Sequence, residues 1–205
     1  MGDVESEITR LGGRRAPFLL DRVSSATAAY ANDRDAQALA LLRPVREAVP
    51  DSPSVRELCG LAQYRLGNYR AAAKELETFV ELTDSVEQHP VLMDCYRAQR
   101  RWQRVEDRWA ELAAASPSAE LVTEGRIVAA GALADRGELE AALEMLRRKA
   151  GDVKRPKFHH LRLWYALADL EERAGNLTRA HALFNRIHTN DREFADVSVR
   201  RAALA

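Results

Sequence analysis

One pattern recurs five times along this chain and leaves it few folds to choose from. A small or apolar pair is followed about ten residues later by a helix-breaking turn. An Ala or Val comes next, with a large apolar residue four positions on. The clearest copy is Cys59-Gly60, Gly67, Tyr69, Ala72, Leu76. Others run Leu92-Met93, Arg100, Trp102, Val105, Trp109 and Ala129-Ala130, Gly137, Leu139, Ala142, Leu146. Trp164, Leu167-Ala168, Gly175, Leu177, Ala180, Phe184 is a fourth, and a weaker first copy is Ala26, Asp33, Ala38, Leu42. Ala38, Ala72, Val105, Ala142 and Ala180 are separated by 34, 33, 37 and 38 residues. A period near 34 with this pattern predicts stacked helix-turn-helix units.

The residue sizes fit that reading. Ala26, Gly60, Ala130 and Ala168 remove bulk where a second helix crosses the first, and Ala38, Ala72, Ala142 and Ala180 do so on the second helix. Leu42, Leu76, Trp109, Leu146 and Phe184 then fill the space towards the next pair, since dense packing sets large against small. The helical spacing predicts helices over Phe18–Ala31, Ala36 to Pro50, Ser54–Leu66, Tyr69–Thr83, His89–Gln99, Trp102–Ala115, Ala119–Arg136, Leu139–Ala150, Phe158–Ala174 and Leu177–Ile187. Pro44 is expected to kink or shorten the second of these. No segment alternates as a strand does, so the class is all-α: an α-solenoid of about five hairpins plus a C-terminal capping helix. The expected layout is a flexible arm over 1–16 and one superhelical domain over 17–205. Its repeats fall at about 19–52, 53–86, 87–119, 123–156 and 161–192, with a cap at 193–205 that covers the last apolar face.

Composition narrows the function classes. Basic and acidic residues balance at 31 each, so wholesale attraction to nucleic acid or an anionic membrane is not expected. No run approaches the roughly 20 apolar residues that span a bilayer, and Met1 to Arg15 lacks the apolar stretch of a signal peptide. Cys59 and Cys95 sit among apolar helix residues and read as small buried hydrophobes in a reducing compartment, which makes a cytoplasmic location the expectation. His159 and His160 are adjacent, so they point about 100° apart on a helix. His181 and His188 are two turns apart, and no metal set is formed. There is no Cys-x-x-Cys, phosphate-cradling Gly loop or Gly-x-Ser-x-Gly elbow. The expectation is a non-enzyme with no cofactor, metal or catalytic residue.

The motif residues Leu58-Cys59-Gly60, Gly67-Asn68-Tyr69, Ala72 and Leu76, and again Trp164, Leu167-Ala168, Gly175-Asn176-Leu177, Ala180 and Phe184, resemble the tetratricopeptide repeat (TPR) family over about residues 18–192. The whole chain is similar to a TPR type common in actinobacteria. The resemblance implies a concave groove, lined by the first helix of each pair, that binds a peptide or protein segment. Carried over position by position, the groove stripe is Val23, Thr27, Tyr30; Glu57, Leu61, Tyr64; Pro90, Asp94, Arg97; Ile127, Gly131, Ala134; and Tyr165, Asp169, Glu172. The groove candidates are Tyr30, Glu57, Leu61, Tyr64, Asp94, Arg97, Tyr165 and Asp169. Tyr and Arg at such positions are the types that anchor interfaces. The asparagines that grip a C-terminal carboxylate in some members are missing, which argues against a chaperone-tail clamp.

Two alternatives stand beside the adaptor reading. A basic block of Arg147, Arg148, Lys149, Lys154, Arg155, Lys157 and Arg162 around a long loop suits RNA or ribonucleoprotein, though such blocks also form solvated faces with pairs such as Glu144–Arg148. An acidic block (Glu75, Glu77, Glu81, Asp84, Glu87) opposes it, and that segregation suits head-to-tail self-association. The expected partner is a protein or peptide segment, ahead of nucleic acid, with no membrane.

Overall fold

The computed structural model describes residues 2–204. Every regular element among them is a helix: α1 (Gly2–Leu11), α2 (Arg15–Ala31), α3 (Asp35–Ala48), α4 (Pro53–Arg65), α5 (Tyr69–Thr83), α6 (His89–Ala98), α7 (Trp102–Ala115), α8 (Ala119–Asp135), α9 (Leu139–Arg147), α10 (Phe158–Arg173), α11 (Leu177–Asn190) and α12 (Val197–Ala203). The fold class is the α-solenoid of helical hairpins. The chain forms two compact units, Met1–Arg101 and Trp102–Ala205. In the first, α2 packs on α3 and α4 on α5, with α3 against α4 and α5 against α6. In the second, the hairpins are α8–α9 and α10–α11, flanked by α7 and α12. The hairpin expected over 87–119 therefore has its first helix, α6, in one unit and its second, α7, in the other.

The same turn reverses the chain each time. Asp33, Gly67, Arg100, Gly137 and Gly175 all take left-handed backbone angles, with φ of 56°, 73°, 58°, 90° and 77°. The residue after each donates its N–H five residues back: Arg34 to Ala29, Asn68 to Gln63, Arg101 to Tyr96, Glu138 to Leu133 and Asn176 to Glu171, at 2.8–2.9 Å. That bond, with a shorter-range one from the left-handed residue itself, closes the last helical turn and satisfies carbonyls that the helix leaves open. Three of the five positions are glycine, which adopts this conformation without a Cβ penalty. Asp33 and Arg100 hold it under strain.

The seam between helices is built as the residue sizes predict. Ala26, Ala38, Ala72, Ala130, Ala142, Ala168 and Ala180 are 0% exposed, and Leu42, Leu76, Leu146 and Phe184 at most 1%. A Cβ added to Gly60 falls 2.6 Å from both Cγ and Cδ2 of Leu76, so α4 and α5 meet at a distance that only glycine permits. Gly125 serves α7 and α8 alike, its added Cβ lying 2.3 Å from Leu112 Cδ2.

Three expectations are corrected. Residues 2–11, read as a flexible arm, form α1, which packs on α2 and α4. Its Val4 and Ile8 are fully buried in the cluster of Leu19, Val23, Val55 and Cys59. Two apolar residues four apart make one helical stripe, and that burial stabilises a helix too short to stand alone. Gly12 and Gly13, at φ 64° and 71°, supply the break before α2. Pro44 does not end its element: α3 continues through it to Ala48. The cap is also shorter than read, because Phe194 and Val197 are buried but regular helix begins only at Val197.

Cys59 and Cys95 are free and buried, and burial pushes both thiols up to about 12. No helix of the described residues is long and apolar enough to cross a membrane.

Two substitutions test this account by urea unfolding. Gly60→Ala is expected to lower stability by about 1–3 kcal/mol through overpacking against Leu76. Arg100→Gly is expected to raise it by about 1 kcal/mol, because the left-handed strain at that turn disappears.

Candidate functional site

The groove stripe falls on the first helices of the pairs, and the two units carry it separately. In the first unit it runs across α2, α4 and α6. Tyr64 on α4 donates its hydroxyl to Asp94 Oδ2 on α6 at 2.8 Å, and Arg97 Nη1 reaches Asp94 Oδ1 at 3.4 Å. The Asp94 and Arg97 side chains remain 29% and 30% exposed, so this chain of groups meets solvent. Burial first, then the charge of Asp94 and the bond to it, raise the Tyr64 hydroxyl above the ordinary tyrosine range. The phenol therefore stays a donor at all physiological pH values. Glu57 on α4 accepts from Gln88 Nε2 at 2.7 Å, and Leu61 is half-buried one turn along. Tyr30 on α2 carries the Arg65 guanidinium over its ring at 3.8 Å; Arg65 also donates to the Tyr30 carbonyl at 3.0 Å and to Asp33 at 3.2 Å. Six of the eight predicted groove residues are thus on helices of one unit, with Tyr64, Asp94 and Arg97 joined in one hydrogen-bonded row.

Tyr165 and Asp169 lie on α10 in the second unit, where the protein's own chain engages them. Asp196, just before α12, accepts from the Tyr165 hydroxyl at 2.6 Å. Arg200 of α12 donates to Asp169 at 3.0 Å and to Glu172 at 2.6 Å, and its guanidinium stacks over Phe184 at 4.7 Å. Burial pulls that guanidinium down, but the bonds it donates to Tyr165, Glu172 and Asp169 outweigh this and hold it above its ordinary value. Arg65, Gln88, Asp196 and Arg200 were not singled out in the sequence. A signal existed for the last: Arg200 lies 35 residues beyond Tyr165, about one repeat, so α12 offers it where the first helix of a further pair would offer its stripe.

The basic block is largely occupied. Arg147 makes a two-pronged pair with Glu171, at 2.7 and 2.8 Å, and approaches Glu140 at 3.7 Å. Burial raises the Glu171 carboxyl, but the bonds from Arg147 and Asn176 more than offset that and hold it below the usual range. Arg148 pairs with Glu144, Lys157 with Glu120 at 3.6 Å, and Arg162 with Glu124. Lys149, Lys154 and Arg155 are exposed, with no ion pair among the described residues. The loop itself is held from α11: Arg186 donates to the carbonyls of Ala150 at 3.2 Å and Gly151 at 2.8 Å, with its guanidinium 3.8 Å over Trp164. Within the acidic block, Glu75 is buried between Arg46 and Arg56, and so belongs to the packing of α3, α4 and α5. Among the described residues no three His, Cys, Asp or Glu side chains are grouped to hold a metal ion.

Arg200→Ala is expected to free α12 and cost the second unit about 2 kcal/mol, from charge-assisted bonds and stacking. Limited proteolysis after residue 190 and urea unfolding read the change; an unaltered digestion pattern would contradict the clamp.

No family model and no curated protein matches the sequence. Solved structures do. A thermophilic TPR protein of Thermus thermophilus superposes with a TM-score of 0.66 at 20% identity, covering 91% of this chain and 98% of that one. MamA from Desulfovibrio magneticus RS-1, from residue 41 to its end, gives 0.66 at 13% identity over 89% and 98%. At these identities the likeness is one of fold, and the fold is that of the tetratricopeptide repeat.

Proposed function

We propose that this chain, built on the tetratricopeptide-repeat fold, is a non-catalytic protein-interaction module that binds a peptide or protein segment across the faces of α2, α4 and α6. The observation that carries the reading is the partly exposed run Tyr64–Asp94–Arg97, which spans two successive first helices. It presents a hydroxyl, a carboxylate and a guanidinium in one row, with the apolar Leu61 beside it. Such a row suits the alternating donors and acceptors of an extended backbone, while aromatic and arginine side chains are the usual anchors of affinity. The groups are held by one another, so little side-chain freedom is lost on binding. The α10 face is a poorer candidate, because Arg200 and Asp196 already cover it.

The RNA reading has less support. Four of its seven basic residues are paired with carboxylates, which leaves too little free charge to neutralise a run of phosphates.

Selection of a displayed random peptide library on the wild type and on a Tyr64→Ala, Arg97→Ala double variant decides the matter. Peptides recovered on the wild type are expected to lose affinity for the double variant by about tenfold or more, with the helical circular dichroism unchanged. Equal recovery on both proteins would remove this face from consideration.

A further inference from the structure

Among the five large residues that the repeat places on second helices, one does not follow the others. Leu42, Leu76, Leu146 and Phe184 are sealed inside, at most 1% exposed, whereas Trp109 of α7 stays partly open. Its position is fixed all the same. Gly125 lets α8 come so close that an added Cβ would lie 3.3 Å from the Trp109 ring and 2.3 Å from Leu112. Trp109 forms one wall of a cavity of about 410 Å³, with Leu133 of α8 and Ala141 and Met145 of α9. A smaller cavity of about 50 Å³ shares Trp109, Leu133 and Met145 with it and is also lined by Trp102 and Ala129.

The charges around the cavity do not cancel. Glu144 is paired with Arg148, and Glu106, beside the smaller cavity, with Arg136. Arg126 of α8 is half-buried, its guanidinium 5.4 Å from the centre of the Trp109 ring, with no hydrogen bond or ion pair among the described residues. Burial pulls this group down from its ordinary value, as an uncompensated cation requires. Lys149 likewise lacks a partner among the described residues. Both line a second cavity of about 340 Å³, whose walls include Ser116, Ser118, Thr123 and His160. Two unpaired cations therefore stand where an apolar cleft meets a hydroxyl-lined one. Arg126 lies one residue before the α8 stripe position Ile127, about 100° around the helix, and none of the eight groove candidates lies on α7, α8 or α9.

We propose that this double cleft of the second unit, framed by α7, α8 and α9, is a second binding site for an acidic peptide segment of a partner protein. A carboxylate of the segment sits on Arg126 and Lys149, and a neighbouring large apolar side chain enters the Trp109 cavity. Charge complementarity selects this occupant, because the cleft has an excess of two positive groups and no free carboxylate. The hydroxyls of the adjoining cavity suit the continuing backbone of an extended chain. Trp109 is the anchor, pre-positioned by Gly125 and stacked on the cation that the ligand would pair with.

The test uses the full chain and two displayed libraries of short peptides, one with Glu or Asp beside a central Phe or Leu, the other with Lys at those positions. The acidic library is expected to enrich on the wild type and the lysine library not. Enriched peptides should lose affinity by about tenfold or more for Arg126→Gln, Lys149→Gln and weaken as salt is raised. They should bind unchanged to Tyr64→Ala, Arg97→Ala, which separates this site from the groove. Trp109→Phe, which keeps an aromatic wall, checks that loss of binding is not loss of fold. No enrichment, enrichment that survives removal of both cations, or recognition of a single-stranded oligonucleotide through Arg126 and Lys149 in place of the peptides would overturn the proposal.

Discussion

The closeness of paired helices governs everything else in this molecule. Two helices in contact can approach only as far as their bulkiest facing atoms allow, and here those atoms are the Cβ of alanine or nothing at all. At Gly60 the backbone of α4 sits where a single added carbon would collide with Leu76. Because the small residues are confined to one stripe, each helix has one way to face its partner. The large residues then have one place to go, into the gap towards the next pair. The faces presented to solvent follow from that arrangement without further specification.

Charge is arranged around this apolar frame to the same end. Glu75 between Arg46 and Arg56, and Glu171 in the fork of Arg147, tie successive helices of a unit together where the frame is already close. A buried carboxylate is costly unless matched by hydrogen-bonding cations, and both are matched. Much of the basic block, and Glu75 of the acidic one, is therefore structural. The informative cations are the few left over, and most of all Arg126, which is half-buried and has no ion pair among the described residues.

Much of the fold was legible because its determinants are local. The left-handed turn residue announces itself as glycine at 67, 137 and 175, and the alanine or valine four residues before each large apolar residue fixes the phase of the helices. Where the turn residue is Asp33 or Arg100 the signal is weaker, yet the spacing preserved it. The helix at 2–11 was missed because a charged ten-residue segment has little propensity to form alone; only contact with α2 and α4 stabilises it, and no local pattern reports such contacts. The candidate site was legible only in part. The positions of Tyr64, Asp94 and Arg97 come from carrying the repeat family's stripe onto this sequence, whereas the covering of Tyr165 and Asp169 by Arg200 depends on where a later helix docks. Trp109 was read as filler like its four counterparts, since sequence does not tell how much of a ring its neighbours leave open.

The two thiols give the first unit a property that the second lacks. Cys59 and Cys95 lie on first helices α4 and α6, inside the frame, and burial keeps both in the protonated, unreactive form. The second unit contains no cysteine. Alkylation by an added reagent therefore proceeds only when α4 or α6 lifts away from its neighbours, and its rate clocks the breathing of one half of the chain while the other half stays silent.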